Sequence, residues 1–402
     1  MTDTTVQANP AQANAAQASP ETVMQEVVAW RRHLHQHPEL SFHEHETARF
    51  VQEQLQKLPN LTISRPTETS VLAVLKGTAG AGRTVLLRAD MDALPIEEET
   101  GLEFSSQNPG VMHACGHDGH TAMLLGAAKL LSGHPEQLRG EVRFIFQHAE
   151  ESFPGGAQQL VDAGIMDGVD VVVGEHLMSP VPTGVVAIQG GPLLASSDGF
   201  ELILQGKGGH AASPHQTIDP VIVAAHIVVA LQNVVSRQLD PVDTAVITVA
   251  TIHGGNAKNV IPDTVTLGGT VRSFDENVRQ ELPKKIEQII KGVCDTFGAT
   301  YTLKYQMGYR ATVNDHDVAR ELREMAREVL PEVQVAQGKP QMGSEDFSAY
   351  MTKAPGTFIA IGAGGPGAAP HHHPKFTVDE RALEHGVKLY VGAAKKLTQP
   401  AR

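Results

Sequence analysis

The stretch Thr84-Val85-Leu86-Leu87-Arg88-Ala89-Asp90-Met91-Asp92 is an apolar run that ends in two carboxylates. Thr84 to Arg88 reads as a strand whose consecutive side chains are apolar, as expected for a sheet covered on both faces. Three more apolar strands end in a similar way. Val142 to Gln147 runs into Glu150 and Glu151, and Val169 to Val173 runs into Glu175 and His176. Thr357 to Ile361 leads through a Gly-rich loop to His371, His372 and His373. In open α/β sheets, sites form beyond the carboxyl ends of the strands. Four ends that deliver carboxylates and imidazoles are therefore read as functional rather than as solvated loops.

Helical patterns separate these strands. One spans Glu21 to Leu58, interrupted around His37-Pro38; others cover His120 to Leu131 and Ala157 to Ala163. Val71 to Lys76 reads as a further strand. Alternating strands and helices predict an α/β fold with a mostly parallel sheet.

The pattern changes near Gly190-Gly191-Pro192. From there it reads strand (Phe200 to Gln205), helix (Ile218 to Arg237), strand (Thr244 to Ile252), strand (Thr264 to Val271), helix (Glu276 to Phe297), strand (Tyr301 to Tyr305). This βαββαβ order is the ferredoxin-like arrangement. A helix from Asp317 to Val329 and the strand Thr357 to Ile361 then resume the α/β pattern. The expected layout is a disordered tail (1–20), a catalytic domain in two pieces (21–190 and 309–402), and an inserted satellite domain (191–308).

Composition narrows the function. The formal charge is -13 over 402 residues, with no long Lys/Arg run, which argues against a nucleic-acid partner. Cys115 and Cys294 are the two cysteines, too few and too distant for a disulfide scaffold. The first twenty residues lack the basic start and apolar segment of a signal peptide. No apolar run reads as long enough to span a membrane. A soluble cytoplasmic protein is expected. The 20 histidines are a high count, and histidine is the commonest metal ligand.

The densest cluster is His113-Ala-Cys115-Gly-His117-Asp118-Gly-His120. Gly116 lets the backbone turn sharply between Cys115 and His117. A thiolate and an imidazole so placed suit zinc, manganese, cobalt or nickel. A structural zinc site would need a compact Cys/His set of four; one Cys among several His and Glu fits a hydrolytic site better. Glu150 and Glu151 are adjacent, so at a strand end they point in opposite directions. One can bind metal while the other passes a proton from water to a leaving amine. His33, His35 and His37 read mostly as surface helix residues.

The chain resembles the dinuclear-metal amidohydrolases and metallopeptidases that include aminoacylase, hippurate hydrolase, auxin-conjugate hydrolase and N-acetyl-diaminopimelate deacetylase. The resemblance covers nearly everything after residue 21. It rests on Arg31-Arg32-His33-Leu34-His35, Pro38-Glu39-Leu40-Ser41, Arg88-Ala-Asp90-Met-Asp92-Ala-Leu-Pro95-Ile-Glu97, His113-Ala-Cys115-Gly-His117-Asp118 and Phe146-Gln-His148-Ala-Glu150-Glu151. It rests also on Gly206-Lys-Gly-Gly-His210-Ala, Asn259-Val-Ile-Pro262 and Gly343-Ser-Glu345-Asp346-Phe347.

The resemblance implies a zinc-peptidase-like catalytic domain holding two divalent metal ions per subunit. Cys115 would be shared by both ions. His117 and His176 would complete one, and Glu151 with a C-terminal histidine the other. The family's register, one residue and then Pro, selects His372 over His371 and His373. Glu150 would be general base and acid, and Asp92 would orient the site. His210 would reach the partner subunit's site and stabilise the oxyanion, which implies a homodimer or higher homo-oligomer. Asn259 and Arg272 would hold the substrate carboxylate. Two departures stand beside the site: His148 replaces the family's usual Pro, and Gly174-Glu175-His176 replaces Gly-Leu-His, adding a carboxylate next to a ligand.

The reaction these roles imply is hydrolysis of the amide bond of an N-acyl amino acid (N-acetyl, N-benzoyl or similar), giving a carboxylic acid and a free amino acid. A metallocarboxypeptidase on short peptides would use the same chemistry. A non-catalytic metal-binding module would need neither Glu150 nor His210.

Overall fold

The computed structural model describes residues 19–400. The expected tail lies outside them except for Ser19 and Pro20. Ser19 caps the first helix by accepting a hydrogen bond from the Thr22 amide, and Pro20 sits in its first turn.

In chain order the first elements are α1 (Pro20–Gln36), α2 (His45–Gln56), β1 (Leu61–Ser64), β2 (Val71–Lys76), β3 (Thr84–Asp90), α3 (His117–Ser132), β4 (Glu141–Gln147), α4 (Gly156–Asp162), β5 (Val171–Pro182) and β6 (Val185–Ala187). Then follow β7 (Ser197–Gln205), α5 (Pro220–Asn233), β8 (Ala245–His253), β9 (Thr264–Ser273), α6 (Glu276–Phe297) and β10 (Thr300–Tyr309). The last are α7 (His316–Val329), β11 (Gln334–Ala336), β12 (Gly356–Gly364) and α8 (Arg381–Leu397).

The chain divides into two compact units. One comprises the chain through Gly191 with Asn314–Lys339 and Ala349 onward; the other comprises Pro192–Val313 and Pro340–Ser348.

The first unit is built on an eight-stranded sheet ordered β1-β2-β4-β3-β5-β12-β6-β11. The central strands β4, β3, β5 and β12 run parallel, while β1, β2 and β6 pair antiparallel to their inner neighbours. In β3 every residue from Val85 to Asp90 is buried, as both-face coverage requires. The fold is therefore the mixed α/β class with a mostly parallel sheet that the periodicity predicted.

Three readings need correction. The strand expected to stop at Val173 continues to Pro182 because β12 pairs with it through Gly356↔Val172 to Gly362↔Met178. Glu175 and His176 thus lie inside a strand, not beyond its end, and neighbouring strand residues face opposite sides. Glu175 is fully buried and lies toward Met123 and Gly386, away from the site cluster. The helix expected from His120 starts three residues earlier, at His117. His35, read with the surface histidines, is fully buried, whereas His33 and His37 are exposed.

The second unit holds a four-stranded antiparallel sheet ordered β8-β9-β7-β10, with α5 and α6 packed on it. This is the strand order of the ferredoxin-like fold. Leu202, Leu204, Val223, Ile227, Leu267 and Ile286 lie in its core. Pro220–Gln238, α5 with the turn after it, is long and apolar enough to cross a membrane by length and composition, contrary to the sequence reading. Its face of Val223, Ala224, Ile227 and Leu231 packs against the small sheet instead.

Candidate metal centre

Each candidate side chain is delivered by a distinct local device. Asp90 is the last residue of β3, and Asp92 follows two residues later. Gly116 has φ 95 and turns the chain from Cys115 into the first turn of α3, where His117 sits. Glu150 and Glu151 lie beyond β4 in a bend, after Ala149 with φ 51. They do not point in opposite directions as expected, because the bend replaces strand alternation there: their carboxylate oxygens lie within 4.8 Å of one another, beside His117. His372 has φ 62, and its amide donates to the Ala114 carbonyl at 2.8 Å.

These devices bring six predicted residues together. The side-chain donor atoms of Cys115, His117 and His176 lie within 4.8 Å of one another, as do those of Cys115, Glu151 and His372. Cys115 belongs to both groups. His117, Glu150 and Glu151 form a third. Cys115 Sγ is 3.5 Å from His176 Nε2, and His372 Nε2 is 3.1 Å from Glu151 Oε1. Among the three consecutive histidines, the neighbours of His372 turn elsewhere. His371 Nε2 bonds the Leu177 carbonyl, and His373 Nδ1 accepts from the Lys375 amide.

The electrostatics of the cluster call for cations. Burial, reinforced by Glu151, Glu150 and Asp90, pushes the Cys115 thiol well above its usual range. Burial opposes charge on His117, but Asp90, Asp92 and Glu151 outweigh it and raise the imidazole to about 10. His117 Nε2 is buried without a hydrogen-bonding partner. A thiol among carboxylates ionises only when cations compensate, and the S, N and O donors present suit a late first-row divalent ion. Burial and the neighbouring His120 and His371 hold His176 well below the usual imidazole range, leaving it as a neutral donor.

Asp92 supports this cluster from behind. Its Oδ1 lies 3.2 Å from His117 Nδ1, and its Oδ2 accepts from Ser41 Oγ at 2.7 Å and from the Glu151 amide at 2.9 Å. Burial would raise its pKa; His117 and these donors hold it below the ordinary value. Asp90, His117 and His120 also approach one another closely. Asp90, however, is already bound by Arg88 at 2.7 Å and by His120 Nδ1 at 2.6 Å. Burial is again outweighed, by Arg88 and the two imidazoles, and the Asp90 carboxyl stays well below its usual range.

His148 is buried and turned to Gln159, at 3.2 Å, and to Thr67, at 3.4 Å. His210, Asn259 and Arg272 belong to the second unit. His210 lies in a two-residue strand paired with Val260–Ile261, and its Nδ1 accepts from the Ala212 amide. The Asn259 carbonyl accepts from the Ala211 amide at 3.1 Å. Arg272 Nη1 donates to the Ser196 carbonyl at 3.4 Å.

Sequence reasoning missed two supports. Glu44 Oε1 accepts from the Ala149 amide at 2.7 Å and the Phe42 amide at 3.1 Å, bracing the bend that carries Glu150. Asp118 Oδ2 is held at 2.8 Å by both Arg31 Nε and His35 Nδ1. The second was discoverable, because Arg31 and His35 are four apart and share one helix face. Nothing local marks Glu44, whose partner lies 105 residues away.

The model of peptidase family M20/M25/M40 matches residues 86–396. An N-acyl-L-amino acid amidohydrolase of Geobacillus stearothermophilus is 55% identical over 292 residues, 73% of this chain and 79% of that protein. Thermostable carboxypeptidase 1 of Saccharolobus solfataricus is 42% identical over 378 residues, 92% of this chain and 95% of that protein. The crystal structure of the Bacillus subtilis YXEP protein, described as a dinuclear metal binding peptidase from the M20 family, matches with TM-score 0.82 at 35% identity, covering 94% of this chain and 99% of that one.

Proposed function

The chain belongs to peptidase family M20/M25/M40 and is a metal-dependent hydrolase; from that premise we propose that it cuts the amide bond of N-acyl amino acids with a two-metal centre. The observation that carries this reading is the placement of Cys115 Sγ in two donor groups at once, with Glu150 beside them. Cys115 is the shared ligand. His117 and His176 complete one position, and Glu151 and His372 the other. The ions are zinc, manganese, cobalt or nickel, since the donor set mixes sulfur, nitrogen and oxygen. When bound, they lower the pKa of water and polarise the acyl carbonyl.

The protein's own groups do the rest. Glu150, whose carboxylate lies beside the donor atoms of His117 and Glu151 in a third group, takes a proton from water. It returns that proton to the departing amine nitrogen as the C–N bond breaks. Asp92 holds His117 by Nδ1 and so keeps Nε2 directed to the centre. His210 of a partner subunit donates to the developing oxyanion, and such donors are each worth a few kcal/mol. Asn259 and Arg272 bind the substrate carboxylate.

This assigns a dimerising role to the second unit. Val221, Ile222 and Val229 leave an apolar face of α5 exposed, and β8 is an edge strand with Ile252 exposed. Such a surface favours a homodimer or higher homo-oligomer. Both cysteines are free and buried, which agrees with a cytoplasmic setting.

The test is a panel of N-acetyl amino acids, N-benzoyl amino acids and dipeptides on apo protein reloaded with each ion. Release of a free amino acid from an N-acyl substrate, lost in Glu150→Ala at unchanged metal content, is expected. Dipeptide cleavage alone would favour the carboxypeptidase reading, and wild-type rates in Glu150→Ala would remove Glu150 as the base.

A further inference from the structure

We propose that Arg88, Asp90 and His120 form a positioning relay that acts through the backbone of Leu177 to hold His176 with Nε2 turned toward Cys115. The relay deepens the metal-centre reading and rests on it for the role of His176.

The relay begins with a gap in the sheet. The β3–β5 ladder ends at Arg88↔Gly174, and β5 runs past it with no strand on that side among the described residues. A buried backbone N–H left there must find another partner. The Leu177 N–H finds His120 Nε2, at 2.9 Å. Leu177 and His120 are both fully buried.

This bond fixes the imidazole. Nε2 accepts, so it carries no hydrogen, and the ring proton must be on Nδ1. Nδ1 lies 2.6 Å from Asp90 Oδ1. Arg88 Nη1 holds the other Asp90 oxygen at 2.7 Å, and the main chain of Asp90 is tied to α3 by Thr121 Oγ1 at 2.7 Å. The close approach of α3 to β5 needs Gly119, where a Cβ would come within 2.5 Å of Leu177 Cδ1.

The carbonyl of the same residue meets the metal centre. The Leu177 carbonyl receives His176 Nδ1 at 2.9 Å and His371 Nε2 at 2.9 Å. With its Nδ1 proton so placed, His176 keeps Nε2 free, 3.5 Å from Cys115 Sγ. The backbone of one residue therefore ties His120, through its N–H, to His176 and His371, through its carbonyl. His371, which is not in either Cys115 donor group, acquires a function as the second clamp on that carbonyl.

Two measurements test the relay. In metal-free wild-type protein with ¹⁵N-labelled histidine, NMR should show His120 protonated on Nδ1 with an acceptor-type Nε2; an Nε2–H tautomer overturns the proposal. Calorimetric titration with Mn²⁺ or Zn²⁺ alone, without substrate, then reads the centre. His120→Leu should weaken one ion-binding step about 10–100-fold, the usual consequence of removing a group behind a ligand. His120→Gln can accept from Leu177 and donate to Asp90, and should stay within about threefold of wild type. In a His176→Ala background, adding His120→Leu should change the affinity by less than about twofold, because coupled residues are not additive. Unchanged binding in His120→Leu, or an equal loss in both backgrounds, overturns the relay. Should His120→Leu not fold, the tautomer measurement and the Gln variant decide. A wild type that binds no divalent ion would instead refute the metal-centre reading, and the tautomer result would stand apart from it.

Discussion

Asp92 Oδ1 lies 3.2 Å from His117 Nδ1, while the other oxygen of the same carboxylate accepts from the Glu151 amide at 2.9 Å. One side chain thus orients an imidazole of one donor group and the backbone of a carboxylate in the other. Asp92→Ala should lower the affinity for divalent ions about 10–100-fold, at both steps rather than one. Ion titration by calorimetry reads this; a loss confined to a single step would contradict the double role.

Glu44 should be needed for turnover without touching substrate. It braces the Ala149 amide, and Ala149 carries a positive φ just before Glu150. Glu44→Leu should lower kcat and leave KM nearly unchanged, whereas Glu44→Gln retains an acceptor and should keep most activity. Steady-state kinetics on an N-acyl amino acid would show this. A matched loss in both variants would mean that charge, not the hydrogen bond, is what matters.

The same residue predicts a pH dependence. Burial, with Asp92 nearby, raises the Glu44 carboxyl from 4.5 to about 7. The folded state therefore holds this proton more tightly than the unfolded chain. Its contribution is fully present below about 4.5 and is lost as pH rises through about 7. Relative to wild type, Glu44→Gln should gain up to ~3 kcal/mol across that window, because a tenfold difference in proton affinity is worth about 1.36 kcal/mol. Denaturation of both proteins at about pH 4.5 and about pH 7.5 measures it, and a constant difference would disprove the linkage.

Glu175 is a stability liability. It is fully buried, neither carboxyl oxygen has a hydrogen-bonding partner, and burial raises its pKa well above the usual value. Leaving such a group unsatisfied costs about 1–3 kcal/mol. Glu175→Leu should raise Tm by several degrees with metal affinity unchanged, because the side chain faces away from the centre. A drop in Tm would show that the carboxyl is satisfied in solution.

In the second unit, Asp198 and Arg279 form a buried ion pair at 2.7 Å, and Asp198 also accepts from the Gly308 amide and the Tyr305 hydroxyl. Removing one partner strands the other charge, at a cost of about 3–5 kcal/mol. Arg279→Leu should show that loss in thermal unfolding, and Arg279→Leu with Asp198→Leu should recover part of it. No recovery in the double variant would place the cost in packing instead.

Several of these features are legible in the amino-acid sequence. Apolar runs identify β3, β4 and β12, and the βαββαβ order identifies the inserted sheet. The donor types are visible because cysteine is rare here and because several acids and imidazoles follow apolar strands closely. Helix α8 and the short strand β6 escaped recognition. The reading of Glu175 failed for a definable reason. Local composition does not tell where β5 stops, because its length depends on pairing with β12, which lies far along the chain.

The sequence alone determined which chemistries this chain can perform: a thiol, imidazoles and carboxylates, clustered near the apolar strands. It also determined the two sheet types, since hydrophobic period is a local property. Only the tertiary structure decided which atoms act. It turned His372 toward Glu151 and His371 toward Leu177, although the two are neighbours in one run. It set the His120 ring against Asp90, and put Glu175 and His176 on opposite faces of one strand. The physical reason is that a hydrogen bond or an ion pair depends on groups brought close from distant parts of the chain. Residue type says what a side chain can do; its partners decide what it does.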